Sequence, residues 1–287
     1  GWALLLVAGG ESGSGGTLDN FVRTTLVNGV TTNRFPADAL ERFNYHSLNY
    51  HCDINKPNYT GGSTPRMPVQ PVPVLLTQGF RDTLFNFNDA WDNYNCLKNV
   101  GADVRLVTHQ TGHLLPQIQP AGGKFECGAL KMDDLTLSWF KQHLKQESLV
   151  ATDTIVPNEM CLSLADDDAV FVAANTNLVG GAPSKTLPTL NNVPNGAPAR
   201  AAGPSAGLLG TVAGADLVVA GIPEVTITVA PSSGVASPAA DPIIFLGLGV
   251  KRGGVGNWAL IDDQLTPVRG LKNNVTMTMT GIGERLK

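Results

Sequence analysis

Hydrophobic and polar positions follow two different regimes along the chain. Val72 to Gln78 (VPVLLTQ) is a short continuous apolar run closed by Gly79, the pattern of a strand buried on both faces. Asn88 to Val100 sets Trp91, Tyr94, Leu97 and Lys98 at helical spacing and stops at Gly101, a residue suited to a helix C-terminus. Asp103 to His109 (DVRLVTH) alternates as a strand. Met132 to Lys145 opens with Asp133 and Asp134, carries Leu135, Leu137, Trp139, Phe140 and Leu144, and ends in lysines, which suits the helix dipole. Strand, helix, strand, helix with short connections predicts an open α/β sheet.

Beyond Ser148 to Pro157 the pattern changes. Leu217 to Ala220, Glu224 to Val229 and Ile243 to Val250 are β-rich runs punctuated by Gly and Pro, without an amphipathic helix of useful length. That spacing predicts an all-β sandwich. Gly180 to Gly214, rich in Gly, Ala, Pro and Asn, reads as a long loop. All histidines and tyrosines precede residue 144, and Val172 to Ile244 contains no aromatic residue. The expected division is therefore an α/β domain over 1–149 and a β-domain over 150–287.

Composition narrows the function classes. A hydrophobic fraction of 43% with a net charge of −4 is that of a globular chain and disfavours intrinsic disorder. No basic stripe exists to neutralise phosphates, so nucleic acid is excluded as an expected partner. The longest apolar runs, Trp2 to Ala8 and Ile243 to Val250, fall well short of the roughly 20 residues that cross a bilayer. Trp2 to Ala8 also lacks the basic start and cleavage site of a signal peptide. The cysteines Cys52, Cys96, Cys127 and Cys161 form no CxxC pair, which disfavours zinc, and no cofactor motif is present. Two disulfides and four buried thiols fit almost equally well. Low charge with abundant Gly, Thr and Asn suits a secreted or periplasmic protein.

Active-site groups in an open α/β sheet emerge at the carboxyl ends of its strands. Asp82 follows the VPVLLTQ run in that position, and His113 follows the DVRLVTH run inside Gln110-Thr111-Gly112-His113. One helix and one strand fit between them, so both side chains can converge at one sheet edge. In such a pair the imidazole moves the proton of a nucleophile, while the carboxylate fixes its tautomer and stabilises imidazolium. The plainer reading makes Asp82 a turn former and His113 a surface residue.

The run Pro73 to Phe85 (PVLLTQGFRDTLF), Asn88-Asp89-Ala90, Gly101 to Leu106 (GADVRL) and Gly112-His113 resembles the acid and base region of the X-Pro dipeptidyl-peptidase and cocaine-esterase hydrolases. In that family the corresponding Asp is the triad acid and the His after the following strand is the base, roles that the resemblance carries to Asp82 and His113. Cys127-Gly128 and the helix with Trp139-Phe140 and His143-Leu144-Lys145 are similar to the family's last catalytic-domain helix. Leu217 to Val225 and Leu260-Ile261-Asp262-Asp263-Gln264 to Gly270 look like its jelly-roll domain. The resemblance runs from about Phe35 to Lys287. It implies a partial α/β-hydrolase fold followed by an all-β jelly-roll sandwich.

One departure stands out. The family's serine lies in a GxSYGG turn, and its oxyanion-hole tyrosine lies earlier still; neither motif occurs here. The nearest string, Gly10-Glu11-Ser12-Gly13-Ser14-Gly15-Gly16, lacks the paired small residues that a strained nucleophile elbow requires around Ser12 or Ser14. It reads better as a glycine-rich loop, and the chain as a fragment whose nucleophile lies outside it. Asp166-Asp167-Asp168 reads as a solvated acidic loop before a calcium site. Asn58 and Asn274 stand in glycosylation sequons, and His46 and His51 read as packing residues. The expected function is a serine hydrolase acting on a small-molecule ester or a peptide acyl group. Expected protein partners are a second copy or the missing N-terminal portion. The rival is a binding or assembly protein that keeps the scaffold without catalysis.

Overall fold

The computed structural model describes residues 9–10, 12–13, 15–16, 18–32, 34–113, 123–148, 155, 158–181, 217–227, 244–250, 259–268 and 275–286. The chain divides into two compact units, Gly1–Val72 with Asn95–Ala102, and Pro73–Tyr94 with Asp103–Lys287.

The first unit is helical. Asp19 caps helix α1 (Asn20–Thr32) by accepting from the N–H groups of Phe21 and Val22. Helix α2 (Ala37–Tyr45) starts directly after Pro36, and the short α3 (Leu48–Cys52) is capped by Ser47, whose Oγ accepts from Tyr50 N. Phe43 packs against Phe21 and Phe35, while the Arg42 guanidinium lies 3.9 Å over the Phe21 ring. The Cys52–Cys96 disulfide, with Cα atoms 5.5 Å apart, joins α3 to the segment ending at Gly101. Gly101 has φ +81, so the sequence's helix stop is a true left-handed cap. His51 Nδ1 accepts from Met67 N and His46 packs on Tyr45, so both histidines serve local structure.

The second unit is built on a mixed sheet, four-stranded among the described residues. Strands β1 (Val74–Gly79) and β2 (Val104–His109) run parallel in continuous register from Val74↔Val104 to Gly79↔His109. Helix α4 (Phe87–Asn99) connects them, and its last turn passes into the first unit. A hairpin of β3 (Glu126–Cys127) and β4 (Leu130–Lys131) turns at Gly128, φ +57, and leads into α5 (Met132–Lys145). β5 (Glu159–Ala165) and β6 (Asp168–Ala173) form an antiparallel hairpin on the far side of β2.

The burial of β1 and β2 reverses the sequence expectation. The continuous apolar run, β1, is only half-buried because it lies at the sheet edge among the described residues, whereas the alternating strand β2 is buried throughout. β2 tolerates this because most of its polar groups find partners: Arg105 pairs with Asp103, although its Nε has no hydrogen-bond partner among the described residues, and Thr108 Oγ1 accepts from Ser163 N at 2.7 Å. β2 and β5 share one ladder pair, Val107↔Cys161, after which Thr108 and Gln110 side chains carry the bonding to Cys161 and Ser163.

The expected division at 149/150 falls inside this unit. β5 and β6 continue the sheet, and the Cys127–Cys161 disulfide ties the two sides together at the centre of a core of Val107, Leu130, Met132, Leu135 and Ile155. Further along, β7 (Leu217–Gly221) pairs antiparallel with β14 (Ile282–Leu286), and β8 (Glu224–Ile227) with β13 (Val275–Thr278). β9 (Ile244–Leu246) pairs with β12 (Thr266–Val268), and β10 (Gly249–Val250) with β11 (Ala259–Leu260). The pairing is nested, first strand with last, inward to a central hairpin. Residues 182–216, which contain most of the expected Gly180 to Gly214 loop, lie outside the described residues, as do Trp2 to Ala8, Ser14 and Asn274.

Candidate active site

Gly79 ends β1 and lets the chain pass very close to the end of β2. A Cβ at Gly79 would lie 2.0 Å from the Thr111 carbonyl oxygen, so the two strand ends meet only because this residue is glycine. Asp82 is on the loop after β1 and His113 on the loop after β2. Their side chains meet, with His113 Nδ1 3.3 Å from Asp82 Oδ2. That is the loose end of the range that catalytic pairs show without substrate.

The carboxylate is divided between two tasks. Asp82 Oδ1 accepts from the N–H groups of Leu84 and Phe85, both at 2.9 Å, which fixes the carboxyl plane and leaves Oδ2 for the imidazole. Asp82 thus is the turn former of the plainer reading and the partner of His113 at once. Asp82 is buried and the His113 side chain is about one-third exposed at 36%. The Phe85 ring packs 4.8 Å from the imidazole at 60°. With Nδ1 facing the acid, Nε2 is the nitrogen available to an incoming group. Among the described residues, no hydroxyl or thiol is hydrogen-bonded to this ring.

The nearby His109 is a different kind of histidine. It is buried, its Nδ1 lies 2.8 Å from Thr111 Oγ1, and its ring meets Phe125 edge-on. Burial pushes its pKa down to about 4, against a smaller upward pull from the Asp82 charge, so it is neutral at physiological pH. Its hydrogen bond goes to Thr111, while Asp82 Oδ2 meets His113.

The acid loop is also held from a distance in sequence. Gln264 Nε2 donates to the carbonyls of Phe80 (2.5 Å) and Asp82 (3.1 Å), and Arg81 pairs with Asp263 at 2.7 Å. Asn88 donates to Met279 O and accepts from Gly281 N. Asp262, at φ +54, accepts from Gly283 N at 2.7 Å, and burial pushes its carboxyl up to about 7. Sequence reasoning gave these residues no role at the site. The only available signal was the polar triplet Asp262-Asp263-Gln264 interrupting an apolar run.

The acidic triplet is fully engaged by protein partners. Asp166 Oδ1 accepts from Lys124 N, Asp167 pairs with Lys124 Nζ, and Asp168 pairs with Arg285. Among the described residues no group of three or more His, Cys, Asp and Glu side chains is arranged to hold a metal ion. No helix of the described residues is long and apolar enough to cross a membrane. All four cysteines are in disulfides, leaving no thiol nucleophile. Compared with known proteins, the chain matches no family model, no curated protein and no solved structure.

Proposed function

We propose that this chain supplies the acid and base of a serine hydrolase of the X-Pro dipeptidyl-peptidase and cocaine-esterase type, acting on an ester or peptide acyl group. One observation carries the reading: Asp82 Oδ2 meets His113 Nδ1 at the carboxyl ends of adjacent parallel strands, with Oδ1 fixed by two backbone donors. In this reading His113 Nε2 takes the proton of a serine hydroxyl as its oxygen attacks the acyl carbon. The same nitrogen returns the proton to the leaving alcohol or amine, giving an acyl-enzyme. Water, deprotonated by the same imidazole, then attacks the acyl carbon and frees the acid. Asp82 holds the Nδ1–H tautomer and offsets the imidazolium charge.

The nested strand pairing from β7–β14 to β10–β11 supports the jelly-roll part of the proposal, because a jelly roll is a long antiparallel hairpin rolled on itself. The parallel β1–β2 pair with α4 as its crossover supports the α/β-hydrolase part. Two disulfides suit an oxidising compartment, and a secreted or periplasmic location belongs to the same proposal. Its partners are a small-molecule ester or peptide substrate and, at the protein level, a second copy or a nucleophile-bearing portion.

The rival reading, a binding or assembly protein on a hydrolase scaffold, is favoured by one fact: among the described residues no hydroxyl reaches His113. Steady-state hydrolysis of a panel of p-nitrophenyl esters and X-Pro anilides by the natural polypeptide separates the two. The hydrolase reading expects turnover that Asp82→Asn lowers severely. A parent with no activity on either class favours the scaffold.

A further inference from the structure

The loop that carries Asp82 is short of regular structure. Its local ties are the Asp82 carboxylate, Gln78 Nε2, which donates to Phe85 O at 2.7 Å, and two backbone bonds, Phe80 N to His109 O at 2.9 Å and Asp82 N to Gly79 O at 3.2 Å. Nothing in those ties fixes the carbonyls of Phe80 and Asp82, which flank the residue whose carboxylate must stay on His113. Both carbonyls are met by one side chain, Gln264, itself 4% exposed and 182 residues away from Asp82 in sequence.

We infer that Gln264 is a positioning residue for the Asp82–His113 pair, fixing the acid loop through its backbone so that the carboxylate stays aimed at Nδ1. The inference rests on the hydrolase reading but concerns the geometry of the pair. A primary amide suits the task because its two N–H groups leave one sp² nitrogen in a fixed fan, matching two carbonyls that converge. The turn carrying Gln264 is itself anchored. Asp263 holds Arg81 on the same loop, Asp262 holds Gly283 N, and Ile261 N donates to Leu248 O. The β-rich C-terminal region thereby becomes part of the site's construction, with no need for it to touch substrate.

The test is the tautomer of the His113 ring, read from imidazole nitrogen shifts in selectively labelled protein, together with kcat and KM on whichever ester the parent turns over. The parent should hold the neutral ring as Nδ1–H, whereas an imidazole free in water prefers Nε2–H. Gln264→Met keeps the volume and removes both donors. It should shift the ring toward Nε2–H and lower kcat by between about tenfold and a hundredfold with KM little changed, as small misplacements do. A folded Gln264→Met protein with the parent tautomer and parent kcat would overturn the inference, since a merely structural glutamine would lower only the unfolding midpoint. If that variant does not fold, Gln264→Asn, whose shorter arm reaches at most one carbonyl, is read in the same way and overturns the inference by the same result. The tautomer needs neither nucleophile nor substrate. A shifted tautomer in a protein without turnover therefore counts against the hydrolase reading alone.

Discussion

His109 and His113 lie four positions apart on one strand and its following loop, and the structure gives them opposite chemistry. His113 is the more exposed and meets a carboxylate, while His109 is buried beside Thr111 with its pKa pushed down to about 4. Replacing His113 with Ala should reduce hydrolysis by several orders of magnitude and leave the unfolding midpoint nearly unchanged, checked by turnover and by denaturation of one preparation. His109 acts on stability through pH. Its folded value lies below the ordinary 6.5, so it contributes stability that is present above 6.5 and is lost as pH falls toward 4. Asp262 has the opposite sign. Its folded value, about 7, lies above the ordinary 3.8, so its contribution is complete below 3.8 and is lost as pH rises through 7. The two slopes oppose each other between about pH 4 and 6.5. Relative to the parent, Asp262→Asn should lose about 3 kcal/mol more on acidification across that window, and His109→Gln should lose less or gain. Urea unfolding at pH 4.5 and 6.5 reads both. The meeting of Asp82 and His113 was legible because each follows a strand of one parallel pair at its carboxyl end. Gln264 was not, because its role depends on two backbone carbonyls brought to it by the fold.

At the scale of elements, α5 was legible to its ends from its acidic start, apolar spacing and lysine finish, and α4 to within a residue. Both strands of the parallel pair were found, but their burial was reversed. An apolar run lying at a sheet edge stays half open, and a mixed run in the middle is buried once its polar groups are bonded. β5 and β6 were not foreseen, since a composition change near residue 150 hid the fact that the sheet continues past it. The approach of the two strand ends is the element-level requirement of the site, and Gly79 sets it. Gly79→Ala should lower the unfolding free energy by about 1–3 kcal/mol through overpacking against the Thr111 carbonyl. It should weaken turnover at the same time, because the loops bearing Asp82 and His113 are pushed apart. An alanine variant with parent stability and turnover would show that this contact does not govern the pair.

Over the whole molecule, two cross-links and the long-range ties to the acid loop do what sequence patterning could not announce. The cysteines allowed either thiols or bridges, and only the fold brings Cys127 to Cys161 across 34 residues and Cys52 to Cys96 across 44. Loop closure on that scale is worth about 4 kcal/mol, so Cys127→Ala with Cys161→Ala should lower stability by roughly that amount. The nested pairing from β7–β14 inward was equally hidden, because short β-runs do not say which strand each will join. Whether the Asp82–His113 pair serves a serine is read by fluorophosphonate labelling of the natural polypeptide, mapped by mass spectrometry in parent and His113→Ala. The hydrolase reading expects one serine phosphonylated in the parent with fluoride displaced, and that label lost in a folded His113→Ala protein. A parent that takes no label, or a label that persists without His113, would contradict it.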